Sequence, residues 1–304
     1  TSDALNSFID KLCSNSVSDA ILSIQIGFKN AFDLIDHKIL LKKIKRYGLS
    51  KDACDLLKSY LKNRVYVTEV THSGKKYMSD PKICNVGVPQ GSILGALLFL
   101  IYINDLPEAL KSYDGVHVVI YADDTNIIVK GKNILDQLYS LFASFSKWCE
   151  ENKLIINFLK TYILNFTPQT IYFEFFKFNE FVINVVSESK YLGLTIDNKL
   201  NWSGQIINIC KKLNSQVFAM RNLVKLVDKK TAVNYYYASF HSNVLYGLLL
   251  WGESALVETV LLTQKKILRI MDNKQFNYPC KQLFKKYKIM TVFNLYVYEI
   301  IKEA

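Results

Sequence analysis

The stretch VVIYADDTNIIVK, Val118–Lys130, sets two adjacent carboxylates, Asp123 and Asp124, inside a run of apolar residues. Like charges at such range raise each other's pKa unless a cation lies between them. Two readings follow from the residues. One is a solvent-exposed hairpin turn, where aspartate is a common turn residue. The other is a divalent-cation site on a turn between two core strands, built from the hard carboxylate oxygens that Mg²⁺ prefers. Pattern alone leaves both open.

The elements that must position these carboxylates can be read from periodicity. Val116–Tyr121 and Thr125–Val129 make a hairpin around the two aspartates. Leu22–Phe28 (LSIQIGF) alternates at period two, as a half-buried strand does. Lys38–Tyr47 reads as a helix stopped by Gly48, and Ser50 as the N-cap of a second helix running to about Asn63. Val65–Val70 and Lys76–Asn85 look extended. Ile93–Asp105, apolar on all sides, predicts a buried helix. Leu135–Trp148 carries apolar residues at 135, 138, 141, 142, 145 and 148, the spacing of an amphipathic helix. Short strands follow through Ile196. From Ile206 the pattern is helical again, with Ile206, Ile209, Leu213, Val217, Met220 and Val224 on one face and Lys211, Lys212, Arg221 and Lys225 off it. The order predicts an α+β body, residues 1–200, with an appended helical lobe, residues 201–304.

Composition bounds the partners. The 304 residues are 50% hydrophobic, enough for one large or two moderate domains with a real core. Five prolines and 12 glycines leave little room for disordered linkers. The six cysteines (Cys13, Cys54, Cys84, Cys149, Cys210, Cys280) have no CxxC spacing. That argues against a structural zinc or a disulfide framework and fits a reducing compartment. The longest apolar run, Ile93–Ile103, is about half of what a membrane span needs, and no signal-peptide pattern is present. An intracellular protein of the cytoplasm and nucleus, without a membrane or a small-molecule cofactor, is the expectation. Of the net charge of +11, residues 201–304 hold +9, with 15 Lys/Arg against 6 Asp/Glu. A basic C-terminal third points to a polyanion partner, or else to a well-solvated helical surface.

Two motifs then combine. GVPQGSILGALLFLIYINDLP (Gly87–Pro107), followed by YADDT (Tyr121–Thr125), resembles the palm of a reverse transcriptase of the non-LTR (LINE-type) retrotransposon class. A lone YADD recurs by chance; VPQGS about thirty residues upstream makes the pair specific. The likeness extends over most of the chain. It includes SDALNSFIDKL (2–12), AFDLIDHKILLKKIKRYGL (31–49), SYLKNRVYV (59–67), NKLIINFLKT (152–161), KYLGLTIDNKLNW (190–202), LYGLLLWG (245–252) and QKKILRIM (264–271).

The resemblance implies a right-hand polymerase fold. Palm and partial fingers would occupy residues 1–200, with the first fingers segments lying before residue 1, and residues 201–304 would form a thumb-like region. It implies two-metal nucleotidyl transfer, in which Mg²⁺ ions about 3.5–4 Å apart clamp the primer oxygen and the nucleotide phosphates. The partners implied are an RNA template, a DNA primer and a dNTP. Asp123, with Asp124 beside it, matches the metal-binding aspartate of the palm hairpin. Gln90 and Gly91 match the loop against nucleotide and template. Phe32 matches the aromatic gate that excludes a ribose 2′-hydroxyl, and Lys160 a lysine near the phosphates. Lys62 and Arg64 fall where fingers residues reach template or phosphate, and Lys211 and Lys212 on the basic thumb.

One departure touches the chemistry. The family's third metal carboxylate stands five residues before the gate aromatic, and here that position is Gly27. Strand parity groups Gly27 with Ser23 and Gln25, the face of the implied site. Asp33 lies six residues on, roughly 20 Å away if extended or about 9 Å if helical. Gln25, about 7 Å back, is neutral. The implied Mg²⁺ pair is one ligand short, so impaired or absent polymerisation is expected. Gly27→Asp should restore or strongly raise synthesis once the missing fingers segment is supplied, an aspartate suiting a strand end on the solvent-facing side. Smaller departures are Ala96 for a usual proline and Gln205 for a frequent histidine after Trp202. Nothing here resembles an upstream endonuclease domain, and a truncated, degenerate element copy is the expected origin. The alternative to an enzyme is a non-catalytic nucleic-acid-binding remnant or a decayed copy.

Overall fold

The computed structural model describes residues 2–14, 20–167 and 171–303. Two compact units result: Ser7–Val186, and Thr1–Asn6 together with Ser187–Ala304. The division falls after Val186 rather than at residue 200, because the last two strands before residue 200 pair with each other and not with the palm sheet.

Helix α1 (Ser2–Cys13) precedes strand β1 (Ala20–Ile26), which stops at Gly27; a two-residue strand, β2 (Phe28–Lys29), resumes beyond it. Helices α2 (His37–Arg46) and α3 (Lys51–Leu61) begin at side-chain caps. The Asp36 carboxylate accepts from the Lys38 and Ile39 N–H groups, and Ser50 Oγ accepts from Ala53 N–H. Four short strands, β3 (Arg64–Tyr66), β4 (Glu69–His72), β5 (Lys75–Met78) and β6 (Lys82–Cys84), pair as two ribbons, β3 with β6 and β4 with β5. Helices α4 (Ile93–Ile103) and α5 (Leu106–Ala109) lead to the hairpin β7 (Val116–Tyr121) and β8 (Asp124–Gly131). Helix α6 (Ile134–Glu151), strand β9 (Ile155–Ile156), a 3₁₀ turn at Phe158–Lys160, and strands β10 (Tyr162–Asn165), β11 (Phe175–Phe178) and β12 (Phe181–Val186) complete this unit.

Its six-stranded sheet runs β11-β12-β10-β1-β8-β7, with β1 antiparallel to both neighbours. Register explains the burial. Leu22 pairs with Val129, and Ile24 with Ile127 and Ile163. That apolar face closes a core with Leu98, Phe99 and Tyr102 of α4 and Leu138, Phe142 and Phe145 of α6. Helix α4 departs from expectation: one side is buried, but Ile93, Leu97 and Leu100 are 92%, 50% and 45% exposed. Its uniform apolarity hid which side meets the core.

Buried Lys43 ties α2 to this layer. Its Nζ donates to Tyr102 O (2.6 Å) and Asp105 Oδ1 (2.7 Å), and Trp148 Nε1 donates to the same carboxylate at 3.2 Å.

The second unit opens with the hairpin β13 (Glu188–Tyr191) and β14 (Leu194–Asp197). Helices α7 (Ser203–Leu223), α8 (Lys229–Tyr235), α9 (Ser242–Leu245), α10 (Leu248–Trp251), α11 (Val257–Met271), α12 (Cys280–Tyr287) and α13 (Val292–Glu303) follow, with a π-helical turn at Tyr236–His241. The expected α7 stripe is buried from Ile206 to Met220, and α11 answers it with Val260, Ile267 and Leu268. Gln205, at the position where a histidine was noted as frequent, is itself buried and accepts Thr195 N–H at 3.0 Å. No described helix is long and apolar enough to cross a membrane.

Candidate active site

The hairpin delivers the two carboxylates as the sequence implied. Tyr121 pairs with Asp124, so Ala122 and Asp123 form a two-residue loop. Ala122 takes φ 51°, the left-handed backbone that tight hairpin turns use to match strand twist. Behind the tip, Thr125–Lys130 are all buried, so two exposed aspartates stand on a rigid stem. Partial desolvation and then the Asp123 charge push the Asp124 carboxyl above the ordinary carboxylate range. Tyr162 on β10 is raised as well, by burial and then by the Asp124 charge. The Asp124 side chain therefore carries a field that a cation would relieve.

Gly27 lies beside them. Gln25 pairs with Asn126 and Ile26 with Thr125, the last pair of the β1–β8 register, so Gly27 and Asp124 are the next residues of the two strands. Its surroundings correct the expectation of an open, solvent-facing strand end. Gly27 N–H donates to Thr161 Oγ1 at 3.2 Å, and Asn157 N–H donates to Gly27 O at 2.7 Å. Thr161 Oγ1 in turn donates to Asn157 O at 3.0 Å. A Cβ on residue 27 would lie 2.6 Å from Lys160 Cβ and 3.1 Å from Lys160 O. The backbone of Gly27 is not left-handed. Space alone, filled by Asn157–Thr161, opposes a side chain there. Sequence reasoning missed Asn157, Thr161 and Tyr162 as neighbours of the site; the only signal was their place beside Lys160.

The polar floor beneath the aspartates is uncharged. Ser23 Oγ donates to Asn126 Oδ1 at 2.6 Å, while buried Gln25 Nε2 and Asn126 Nδ2 have no hydrogen-bond partner among the described residues. All are neutral. Among the described residues no three His, Cys, Asp or Glu side chains group as a metal cluster. The donor set of Asp123 and Asp124 fits one Mg²⁺ completed by water or phosphate oxygens. It does not fit an ion pair bridged from β1.

The VPQG loop docks on the segment after β2. Val88 N–H donates to Phe32 O (2.9 Å) and Gly87 N–H to Ile35 O (2.8 Å). Gly87, at φ +82°, sits so close that a Cβ would lie 2.8 Å from Asp33 O. Gln90 Nε2 donates to Asp33 Oδ1 at 3.1 Å, so Asp33 braces this loop. Gly91 is exposed, also at φ +82°. Half-buried Phe32 stacks on Phe99, ring centroids 4.6 Å apart.

The cationic candidates divide. Lys160 is exposed at the end of the 3₁₀ turn, against Gly27. Lys62 is exposed at the end of α3, and Arg64 Nη2 donates to Tyr66 OH at 3.0 Å with its guanidinium over that ring. Lys211 and Lys212 are exposed on α7, in the other unit.

A palm-like sheet with an acidic hairpin at its strand ends defines the template-directed polymerase class. The profile of the family described as reverse transcriptase (RNA-dependent DNA polymerase) matches residues 3–196. The RNA-directed DNA polymerase from mobile element jockey of Drosophila melanogaster is 31% identical over 256 residues, 80% of this chain and 27% of that protein. The probable RNA-directed DNA polymerase from transposon X-element of the same fly is 27% identical over 289 residues, 90% of this chain and 30% of that one. The chain thus spans less than a third of these curated relatives. An apo telomerase from Candida tropicalis shares the fold, with a TM-score of 0.50 at 13% identity over 94% of this chain and 46% of that one. The chain belongs to the reverse transcriptase family, as a domain of the LINE type.

Proposed function

We propose that this chain is an RNA-directed DNA polymerase by fold and descent whose catalytic centre is one carboxylate short, leaving nucleotidyl transfer weak or absent. Gly27 carries the reading: it follows the last β1–β8 pair, Ile26–Thr125, with the Cβ of Lys160 in the space a side chain would need. Reverse transcriptases use divalent metal ions; in this chain Asp123 and Asp124 would hold Mg²⁺, which when bound neutralises phosphate charge. The other roles belong to the chain. Gln90, braced by Asp33, would lie against the nucleotide and template. Phe32, backed by Phe99, would exclude a 2′-hydroxyl. Lys160 would reach the phosphates. RNA template, DNA primer and dNTP are the proposed partners, with Lys62, Arg64, Lys211 and Lys212 as phosphate contacts. A non-catalytic nucleic-acid-binding remnant is the second reading, and Gly27 favours it equally.

Primer extension on an RNA template, in Mg²⁺ and then Mn²⁺, tests the proposal. The expected result is binding of the RNA–DNA hybrid with little or no extension. Extension at the rate of an intact relative would overturn the impairment; failure to bind the hybrid would overturn the polymerase reading.

A further inference from the structure

Outside the palm, one cavity combines strong positive charge with exposed rings. It lies within the helical unit between α7, α11 and the loop after α11, and encloses about 570 Å³. That volume falls within the range of small-ligand sites, roughly 300–1,000 Å³. Four cations line it: Arg221 from α7, Lys266 and Arg269 from α11, and Lys274 from the loop. No carboxylate is among the lining residues. The nearby acid, Asp272, is engaged by Lys229, Lys286 and Tyr287. Arg221, Lys266 and Lys274 make no ion pair among the described residues.

Two phenylalanines frame this charge. Phe218 is 66% exposed and Phe276 78% exposed, large apolar surfaces left in water beside cations that no acid neutralises, Lys274 Nζ lying over the Tyr278 ring at 5.1 Å. The Phe276 ring lies over the Arg269 guanidinium at 5.5 Å, and Arg269 Nε donates to Tyr278 O at 2.9 Å, so ring and cation brace each other. Cations without acids select a polyanion, and exposed rings select a flat π-face. A nucleic acid offers both at once. A duplex keeps its base faces stacked inside and cannot present one to a ring, whereas an unpaired nucleotide can. An acidic peptide would satisfy the cations and leave both rings unused.

We propose that this cavity binds an unpaired nucleotide of a single-stranded nucleic acid, with the base stacked on Phe276 or Phe218 and the flanking phosphates held by Arg221, Lys266 and Lys274. The proposal rests on the polymerase reading only in taking the polyanion to be nucleic acid. None of Lys62, Arg64, Lys211 and Lys212 lines the cavity.

The test is fluorescence anisotropy of the full chain with a labelled 12-nucleotide oligouridylate and, separately, a 12-base-pair RNA–DNA hybrid. Of Phe276→Ala and Phe218→Ala, both surface changes, the variant lacking the ring that carries the base is expected to weaken oligouridylate binding about tenfold, in keeping with base–aromatic stacking. Hybrid binding should stay within twofold of the parent. Phe276→Trp should retain parental affinity. Arg221→Gln should lower the salt slope by about 0.7, one single-strand phosphate contact. Alanine variants that bind oligouridylate within twofold of the parent would overturn the proposal. So would an equal loss on the hybrid, or hexaglutamate displacing the oligonucleotide at matching concentration. Hybrid binding that persists while the phenylalanine variants are silent sinks the cavity alone; a parent that binds no hybrid sinks the polymerase reading.

Discussion

Gly27→Asp would add a carboxylate just beyond the Ile26–Thr125 pair, but it would also place a Cβ 2.6 Å from Lys160 Cβ. Overpacking of this kind typically costs about 1–3 kcal/mol. Gly27→Ala and Gly27→Asp are therefore both expected to melt several degrees below the parent. Mg²⁺ should raise the melting temperature more in the aspartate variant than in the parent or the alanine variant, because only the aspartate variant adds a ligand to Asp123 and Asp124. Lys160→Gly removes the nearest atom, so the Gly27→Asp/Lys160→Gly double variant should be more stable than the two single losses sum to. Additive losses would mean that Lys160 is not the obstacle. Phe32→Ala, in any preparation that extends a primer, should admit ribonucleotides the parent excludes; unchanged discrimination would leave the ring with only its stack on Phe99. The substitution at Gly27 could be found by counting back from Phe32. The closure over it could not, since Asn157–Thr161 is brought there by the pairing of β1 with β10, and nothing local in either segment encodes that approach.

Between elements, one buried carboxylate gathers partners that tie α11 to α12. The Asp272 carboxylate is almost fully buried and meets Lys286 Nζ at 2.5 Å, Tyr287 OH at 2.6 Å and Lys229 Nζ at 3.4 Å, drawing α8 in as well. Burial opposes its ionisation, but the Lys286 and Tyr287 hydrogen bonds and the lysine charges outweigh that and hold the pKa at about 2. A carboxyl depressed below its unfolded value of 3.8 stabilises the fold above about pH 4, and that stabilisation is lost as pH falls through about 2. Its size is roughly 1–2 kcal/mol once the solvent exposure of both lysines is discounted. Thermal melts between pH 5 and pH 2 should show a drop that Asp272→Asn flattens while lowering stability at pH 7. A parallel pH profile in the variant would remove Asp272 from the account. Elements of this kind were legible where a cap or strict alternation marked them, as at Ser50 and Leu22–Ile26. The α4 orientation was not, because Ile93–Ile103 is apolar all round and periodicity then says nothing about which side packs.

At the scale of the whole molecule, the unevenness of charge was legible and the unit boundary was not. Net charge is a sum over residues. The boundary at Val186 depends on β13 pairing with β14, which short strands of similar composition do not announce. The charge has its own consequence. Residues 201–304 hold +9 of the total +11, and Lys211 and Lys212 stand exposed on α7, off its buried stripe. Each phosphate neutralised on a duplex releases counterions and adds about 0.9 to the slope of log affinity against log salt. Lys211→Gln/Lys212→Gln is therefore expected to weaken hybrid binding at low salt and to reduce that slope by roughly 2, with little effect on melting temperature because neither lysine packs in the core. The measurement is a salt titration of hybrid binding by parent and double variant. An unchanged slope would mean that these lysines only solvate α7, and that the phosphate contacts lie elsewhere on the basic surface.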